Sequence, residues 1–250
     1  MYCKVFYDNG NVLRSINDAT LNEPFFAPSH HVTIEGVDVK DFCVDYHNVM
    51  EIDTEFGAGR RLLLRGTAEG PRHTIIEKTL TTELYERYPS VAFTYAMYTN
   101  LNKSATLRLD RVYMNHWRLD ASLADPSAEP YDFHSFQGGS IKWGRTYARI
   151  KISKDFSQEN CQWLKIPARF SQGSGVPLID LWSRTMGLAV AHVEPRSCLA
   201  MLPVKVDSDD RVDVAVEMEL GLSLSPGETY RTLNTIVLVH SGDFFDALAT

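Results

Sequence analysis

Short segments with the pattern of β-strands follow one another from one end of this chain to the other. They fall at residues 4–7, 12–16, 31–34, 42–45, 60–65, 73–80, 91–98, 106–112, 146–152, 162–170, 178–182, 188–193, 199–206, 212–220 and 229–239. Turn formers separate them: Asp8-Asn9-Gly10, Glu35-Gly36, Gly57-Ala58-Gly59, Asn100-Leu101-Asn102, Gly138-Gly139, the aspartates from Asp207 to Asp210, and Ser225-Pro226-Gly227. Many short strands at this spacing predict an antiparallel sandwich or barrel, not βαβ units. At 250 residues the chain is long enough to bury a large core.

The polarity of individual strands sharpens that expectation. Val212, Val214, Val216, Met218 and Leu220 share one face, and Asp213, Glu217 and Glu219 share the other. The run from Val91 to Tyr98 is more continuously apolar, as a central strand between two layers is. Helix signals are scarce. Asp243 is an N-cap candidate with Phe244, Phe245 and Leu248 following at helical spacing. So short a helix is marginal alone, and this end of the chain reads as cut. The prolines and small polar residues over 121–135 predict a long loop within the same domain.

Charge and cysteine usage exclude several functions. A net charge of -7 with no basic run argues against a nucleic-acid partner. No apolar stretch approaches the roughly 20 residues that span a bilayer, and Met1 to Phe6 lacks a secretory apolar core. A cytoplasmic setting is expected. Cys3, Cys43, Cys161 and Cys198 lack zinc-site spacing and are expected to be buried thiols. His30-His31 point to opposite strand faces, so they are not expected to share a metal. The Asp207-Ser208-Asp209-Asp210 run is expected to be a solvated turn and not a calcium loop. No cofactor is expected.

The stretch Gly175-Val176-Pro177-Leu178-Ile179-Asp180-Leu181-Trp182-Ser183-Arg184-Thr185-Met186-Gly187, continuing to Pro195, reads as a strand, a turn over 183–187 and a second strand. It resembles the N-terminal β-sandwich of bacterial α-galactosidase (melibiase-like, family 36-like) glycoside hydrolases. Further pieces occur in the family's order. They are the paired strands from Lys78 to Asn100, the loop from Phe133 through Trp143 to Arg145, the turn Leu224-Ser225-Pro226-Gly227-Glu228, and the segment from His240 to Leu248. The family's "thr-asn-x-gly" turn is here Thr99-Asn100-Leu101-Asn102, so asparagine stands where glycine is usual. The resemblance covers most of the chain beyond about Glu69.

The resemblance implies an all-β, two-layered antiparallel β-supersandwich of the galactose mutarotase-like kind over residues 1–242. Residues 243–250 would start a linker helix toward a catalytic barrel. In the family the two catalytic aspartates lie on that barrel, because retaining chemistry needs two carboxylates about 5 Å apart. No residue here matches those motifs, so no catalytic residue is carried over. The implied role is a non-catalytic domain of a glycoside hydrolase of carbohydrate metabolism. It would support the barrel, its active-site mouth and a homo-oligomer, with weak carbohydrate binding.

Two groups of residues are candidates for that binding. His134, Gln137, Trp143 and Arg145 surround Gly138-Gly139, and a Trp beside an Arg offers a sugar both a stacking face and a planar donor. Asp180, Trp182 and Arg184 share strand parity, so an Asp–Arg pair beside a Trp is geometrically possible. Each group also has a structural explanation: a Trp packed on its own sheet, or an internal salt-bridge cluster. A different class of function, a stand-alone sugar epimerase or mutarotase, would use His192 and Glu194, which share a strand face, as acid and base. A pure carbohydrate-binding or interaction module is the third alternative.

Overall fold

The computed structural model describes residues 29–137, 149–160, 178–184, 186–195, 198 and 200–249, together with the backbone of two short strands, β1 (Phe6–Tyr7) and β2 (Leu13–Arg14). Trp143, Arg145, Gly138, Gly139, Cys3, Cys161 and the expected strand at 162–170 lie outside the described residues.

Two antiparallel sheets form a sandwich, and the fold is all-β as the strand spacing predicts. The smaller sheet contains β3 (His31–Ile34), β4 (Val37–Val39), β9 (Leu107–Leu119), β12 (Ser157–Gln158), β15 (Val204–Val206) and β16 (Val212–Leu224), in the order β12-β15-β16-β9-β3-β4. The larger sheet, of ten strands, contains β5 (Cys43–Thr54), β6 (Gly57–Glu69), β7 (Ile75–Tyr85), β8 (Val91–Asn100), β10 (His134–Phe136), β11 (Arg149–Lys151), β13 (Leu178–Trp182), β14 (Gly187–His192), β17 (Thr229–Arg231) and β18 (Thr235–His240). Its order is β11-β10-β13-β14-β18-β8-β7-β6-β5, with β17 also paired to β8.

Alternation builds the core. Val32, Ile34, Leu109, Val112, Met114, Val214 and Val216 from the small sheet meet Leu80, Ala96, Tyr98, Ile179, Leu181, Leu188 and Val190 from the large one. β14 is buried along its whole length, so both of its faces are covered. The last element, α1 (Phe244–Ala249), lies against the outer face of the large sheet at β13 and β18. Asp243 caps it by accepting a hydrogen bond from the Phe245 N–H at 3.0 Å, as expected from sequence. Among the described residues no helix is long and apolar enough to cross a membrane.

Two of the resembling turns meet in space. The Asn100 side chain donates to the carbonyls of Ala105 and Leu224. The Asn100 carbonyl accepts from Gly227 N, and Asn100 N donates to Glu228 O. Gly227 has φ +80, the left-handed position that follows proline in a type II turn. Asn102, the departure from the family's glycine, earns its place by bonding both N–H and carbonyl of Ile75.

Several expectations are corrected. Gly57-Ala58-Gly59 is not a turn but the start of β6; the turn is Glu55-Phe56. Gly59 is needed there because a Cβ would stand 2.4 Å from the Leu84 carbonyl oxygen. The stretch 229–239 is two strands, not one, because the Thr232 hydroxyl between them takes the Ala96 N–H that a strand would have bonded. Of the expected strand at 199–206, the described residues 200–206 form a strand only at Val204–Val206. Cys43 is exposed, not buried: it begins an edge strand whose neighbouring positions alternate between solvent and partial burial. The aspartate run is a turn, with Asp207 accepting from Asp209 N and Arg211 N and from Arg118.

Candidate functional site

Of the sequence-derived residues in the described regions, His134, Asp180 and Trp182 converge on one patch, the outer face of the large sheet beneath α1. The hairpin of β13 and β14 sets it up. Its register places Trp182 opposite Gly187, and Gly187 opposite His240 on β18. Asp180 faces Ala189 on one side and Phe136 on the other, and His134 faces Trp182. Even-numbered residues of β10 and β13 therefore point outward, while Ile179 and Leu181 point into the core.

Trp182 is the centre. His134 stacks on it with ring centroids 5.8 Å apart, Phe244 of α1 sits tilted at 5.8 Å, and the Arg149 guanidinium lies 5.5 Å from its ring. Phe136 stacks on Phe244 at 5.0 Å. Trp182 is only 5% exposed, so its faces are already occupied by protein. His134 titrates below its usual value because burial, then the charges of Lys151 and Arg149, disfavour the imidazolium.

Beside this cluster lies a buried Asp–His pair. His240 Nε2 is 2.8 Å from Asp180 Oδ1, with the two side chains 5% and 0% exposed. Burial holds the Asp180 carboxyl above the usual range despite the opposing hydrogen bond from His240. Among the described residues, the second carboxyl oxygen of Asp180 and Nδ1 of His240 have no side-chain hydrogen-bond partner. Gly187 makes room: a Cβ there would stand 2.2 Å from the His240 ring.

This corrects the expected Asp180–Arg184 pair. Asp180 is joined to His240, 60 residues away, and Arg184 is exposed in the turn. Gln137 is not on the patch's open side. It is buried, and its carbonyl accepts from Asn160 at 2.8 Å. His240, Phe136, Arg149 and Phe244 were not singled out from sequence. Only Phe244 had a visible signal, the helical spacing after Asp243.

His192 and Glu194 do not form an exposed acid–base pair. Glu194 accepts the Asn234 N–H at 2.6 Å. His192 is buried, lies 3.8 Å from the Cys198 sulfur, and titrates below its usual value through burial. His30 is fully buried and pushed down to about 3 by burial and by Lys78. Among the described residues no group of three potential ligands could hold a metal ion.

An all-β sandwich whose outer face carries an aromatic cluster beneath a terminal helix is the class of domain this geometry defines. No family model matches the sequence, and no curated protein matches it. The structure does match solved ones. The fold is similar to part of the GH36 α-galactosidase AgaB from Geobacillus stearothermophilus (TM-score 0.60, 17% identity, covering 87% of this chain and 30% of that one). It is likewise similar to the α-galactosidase from Lactobacillus brevis (0.59, 17%, 89% and 30%). A third is a variant of AgaA from Geobacillus stearothermophilus in complex with stachyose (0.60, 17%, 87% and 30%). This chain thus spans about 30% of the length of the proteins it matches. At these identities the likeness is one of fold.

Proposed function

We propose that this chain is the N-terminal, non-catalytic β-sandwich of an α-galactosidase-like glycoside hydrolase. The observation that carries the reading is the asymmetry of coverage: 87% of this chain falls on 30% of each Geobacillus enzyme. On this reading residues 1–242 form the sandwich and 243–250 begin the connection to a catalytic barrel, which supplies the two carboxylates of the hydrolase. The barrel docks on the outer face of the large sheet beside α1. There the buried cluster of Phe244, Trp182 and Phe136 fixes α1 on the sheet, and Phe245, 64% exposed at its edge, is the aromatic contact left for the barrel. Large aromatic side chains dominate the energetics of such contacts.

Further parts belong to the same proposal. The parent enzyme is a homo-oligomer, and Trp143 and Arg145, together with His134 and Arg184, contribute a weak carbohydrate contact.

The test has two arms. The 250-residue chain is incubated with p-nitrophenyl α-galactoside, and the coding region beyond Thr250 is read. The proposal expects no release of nitrophenol, and a following barrel's length of alternating strands and helices with two aspartates at strand C-termini. Turnover by this chain that His192→Ala/Glu194→Ala abolishes would establish the stand-alone enzyme instead.

A further inference from the structure

The opposite side of the sandwich, the outer face of the small sheet, holds a cleft that the docking role does not use. Its volume is about 260 Å³. Three strands build it by register. His31 on β3 lies opposite Tyr113 on β9, and Tyr113 lies opposite Glu217 on β16. Lys205 on β15 lies opposite Asp213. A bulge on β9, where Asn115 (φ +46) and His116 stand against Ala215, brings His116 onto the same outer face as Tyr113, and Asp213 and Glu217 share that face by alternation.

The lining is mixed in a specific way. The rings of His31 and Tyr113 stack at 4.1 Å, 10° from parallel, and His116 lies 5.3 Å from His31. Asp213 accepts from His116 at 2.7 Å and has Lys205 at 3.4 Å. Arg111 reaches Glu217 at 3.3 Å and Glu219 at 2.9 Å. Lys40 pairs with Asp38 at 3.1 Å at the rim. The side chains of His116, Asp213 and Glu217 are 13–15% exposed, so they are largely desolvated yet open to the cleft.

The balance of charge selects the ligand. Asp38, Asp213 and Glu217 oppose Lys40, Arg111 and Lys205, and each carboxylate already has a cationic or imidazole partner. A charged ligand would have to break one of these pairs and leave its partner uncompensated, which is costly in a half-buried site. Hydroxyl groups avoid that cost. They can donate to the free lone pairs of the carboxylates and accept from the unused N–H groups of Arg111 and Lys205. The half-buried Tyr113 ring, backed by the buried His31, suits C–H groups. The volume is below the roughly 300–1,000 Å³ of sites for drug-sized molecules, which limits the ligand to one ring.

We propose that this cleft binds a neutral polyhydroxylated ring of monosaccharide size, held by Asp213, Glu217 and Arg111 against the Tyr113 ring that His31 backs. The site stands whether or not a barrel docks on the other face. The experiment titrates the 250-residue chain with D-galactose, D-glucose and myo-inositol, with D-galacturonate and D-glucosamine as charged counterparts, by calorimetry and NMR. At least one neutral ring binds, and neither charged analogue binds more tightly. Glu217→Gln and Arg111→Lys each weaken binding about tenfold, the effect of losing one charge-assisted hydrogen bond, while the exposed-hairpin variant Arg60→Ala binds as the parent does. Thermal unfolding of each variant separates lost binding from lost fold, and Arg111→Lys, which retains the charge, is the arm least exposed to misfolding. No binding by any neutral ring, tighter binding of a charged analogue, or unchanged affinity in folded Glu217→Gln and Arg111→Lys overturns the proposal.

Discussion

Among the described residues, an aspartate–histidine pair of nearly the same length sits on each outer face of the sandwich, one buried and one largely desolvated, and their carboxyls are displaced in opposite directions. Asp180 meets His240 at 2.8 Å, and Asp213 meets His116 at 2.7 Å. Burial pushes both carboxyls upward. For Asp180, shut beneath aromatic rings, burial wins. For Asp213, the His116 hydrogen bond, the His116 charge and then Lys205 outweigh burial, and the carboxyl titrates below its usual range. The partner is the same, so the partner does not decide. A second cation and partial access to water do. The difference also separates two sheet faces: one dry beneath an aromatic cluster, one polar and open to a cleft.

The most disruptive way to break the comparison is Gly187→Val. Its side chain would occupy the space of the His240 ring, so Asp180 loses its partner while still buried. Overpacking with a stranded buried acid is expected to cost about 3 kcal/mol or more. Urea denaturation measures it, and a midpoint equal to the parent's would mean that the two strands do not approach as closely as 2.2 Å implies.

Paired amide substitutions sharpen the contrast. The depressed carboxyl of Asp213 contributes stability above the unfolded-state value near pH 4, and that contribution is lost as pH falls through its folded value. The raised carboxyl of Asp180 works the other way: its contribution is complete below the unfolded-state value and is lost as pH rises through the folded one. At neutral pH Asp213→Asn should therefore destabilise by about 1–2 kcal/mol, and Asp180→Asn should be close to neutral. The stability difference from the parent should shrink toward acid pH for Asp213→Asn and move in the opposite sense for Asp180→Asn. Unfolding midpoints across pH 3–7 that move in parallel for the two variants would refute the contrast. The smallest effect is expected at Arg60–Glu51 on the hairpin, 71% and 79% exposed. There Arg60→Ala should change stability by no more than about 0.5 kcal/mol, because solvent screens such pairs.

What sequence disclosed follows from where the information is local. The strands 178–182 and 188–193 were legible because both are apolar and bounded by turn residues, and the observed Leu178–Trp182 and Gly187–His192 differ by a residue or so. The Asp243 cap was legible for the same reason. The lengths of Cys43–Thr54 and Gly57–Glu69 were not, because much of both strands is exposed or half-buried and their periodicity is faint. The His240 partnership was invisible because it depends on a register between strands far apart in the chain. The cleft was half visible: Asp213 and Glu217 announced a polar face on β16, but nothing local shows that His31, Tyr113 and Lys205 are aligned with them.

The strand order has a consequence for biosynthesis. β18 is the link between β8 and β14, and the Thr94 and Thr235 hydroxyls, 2.9 Å apart across β8 and β18, are separated by 141 residues of chain. A ribosome adding about 5–20 residues per second would leave the edge of β8 open for on the order of ten seconds before β18 emerges. During that interval the growing polypeptide presents a long, largely apolar strand with unpaired backbone groups, the kind of edge that recruits other chains. A chaperone that shields nascent edges is therefore expected to raise the yield of this protein more than its folded stability would suggest.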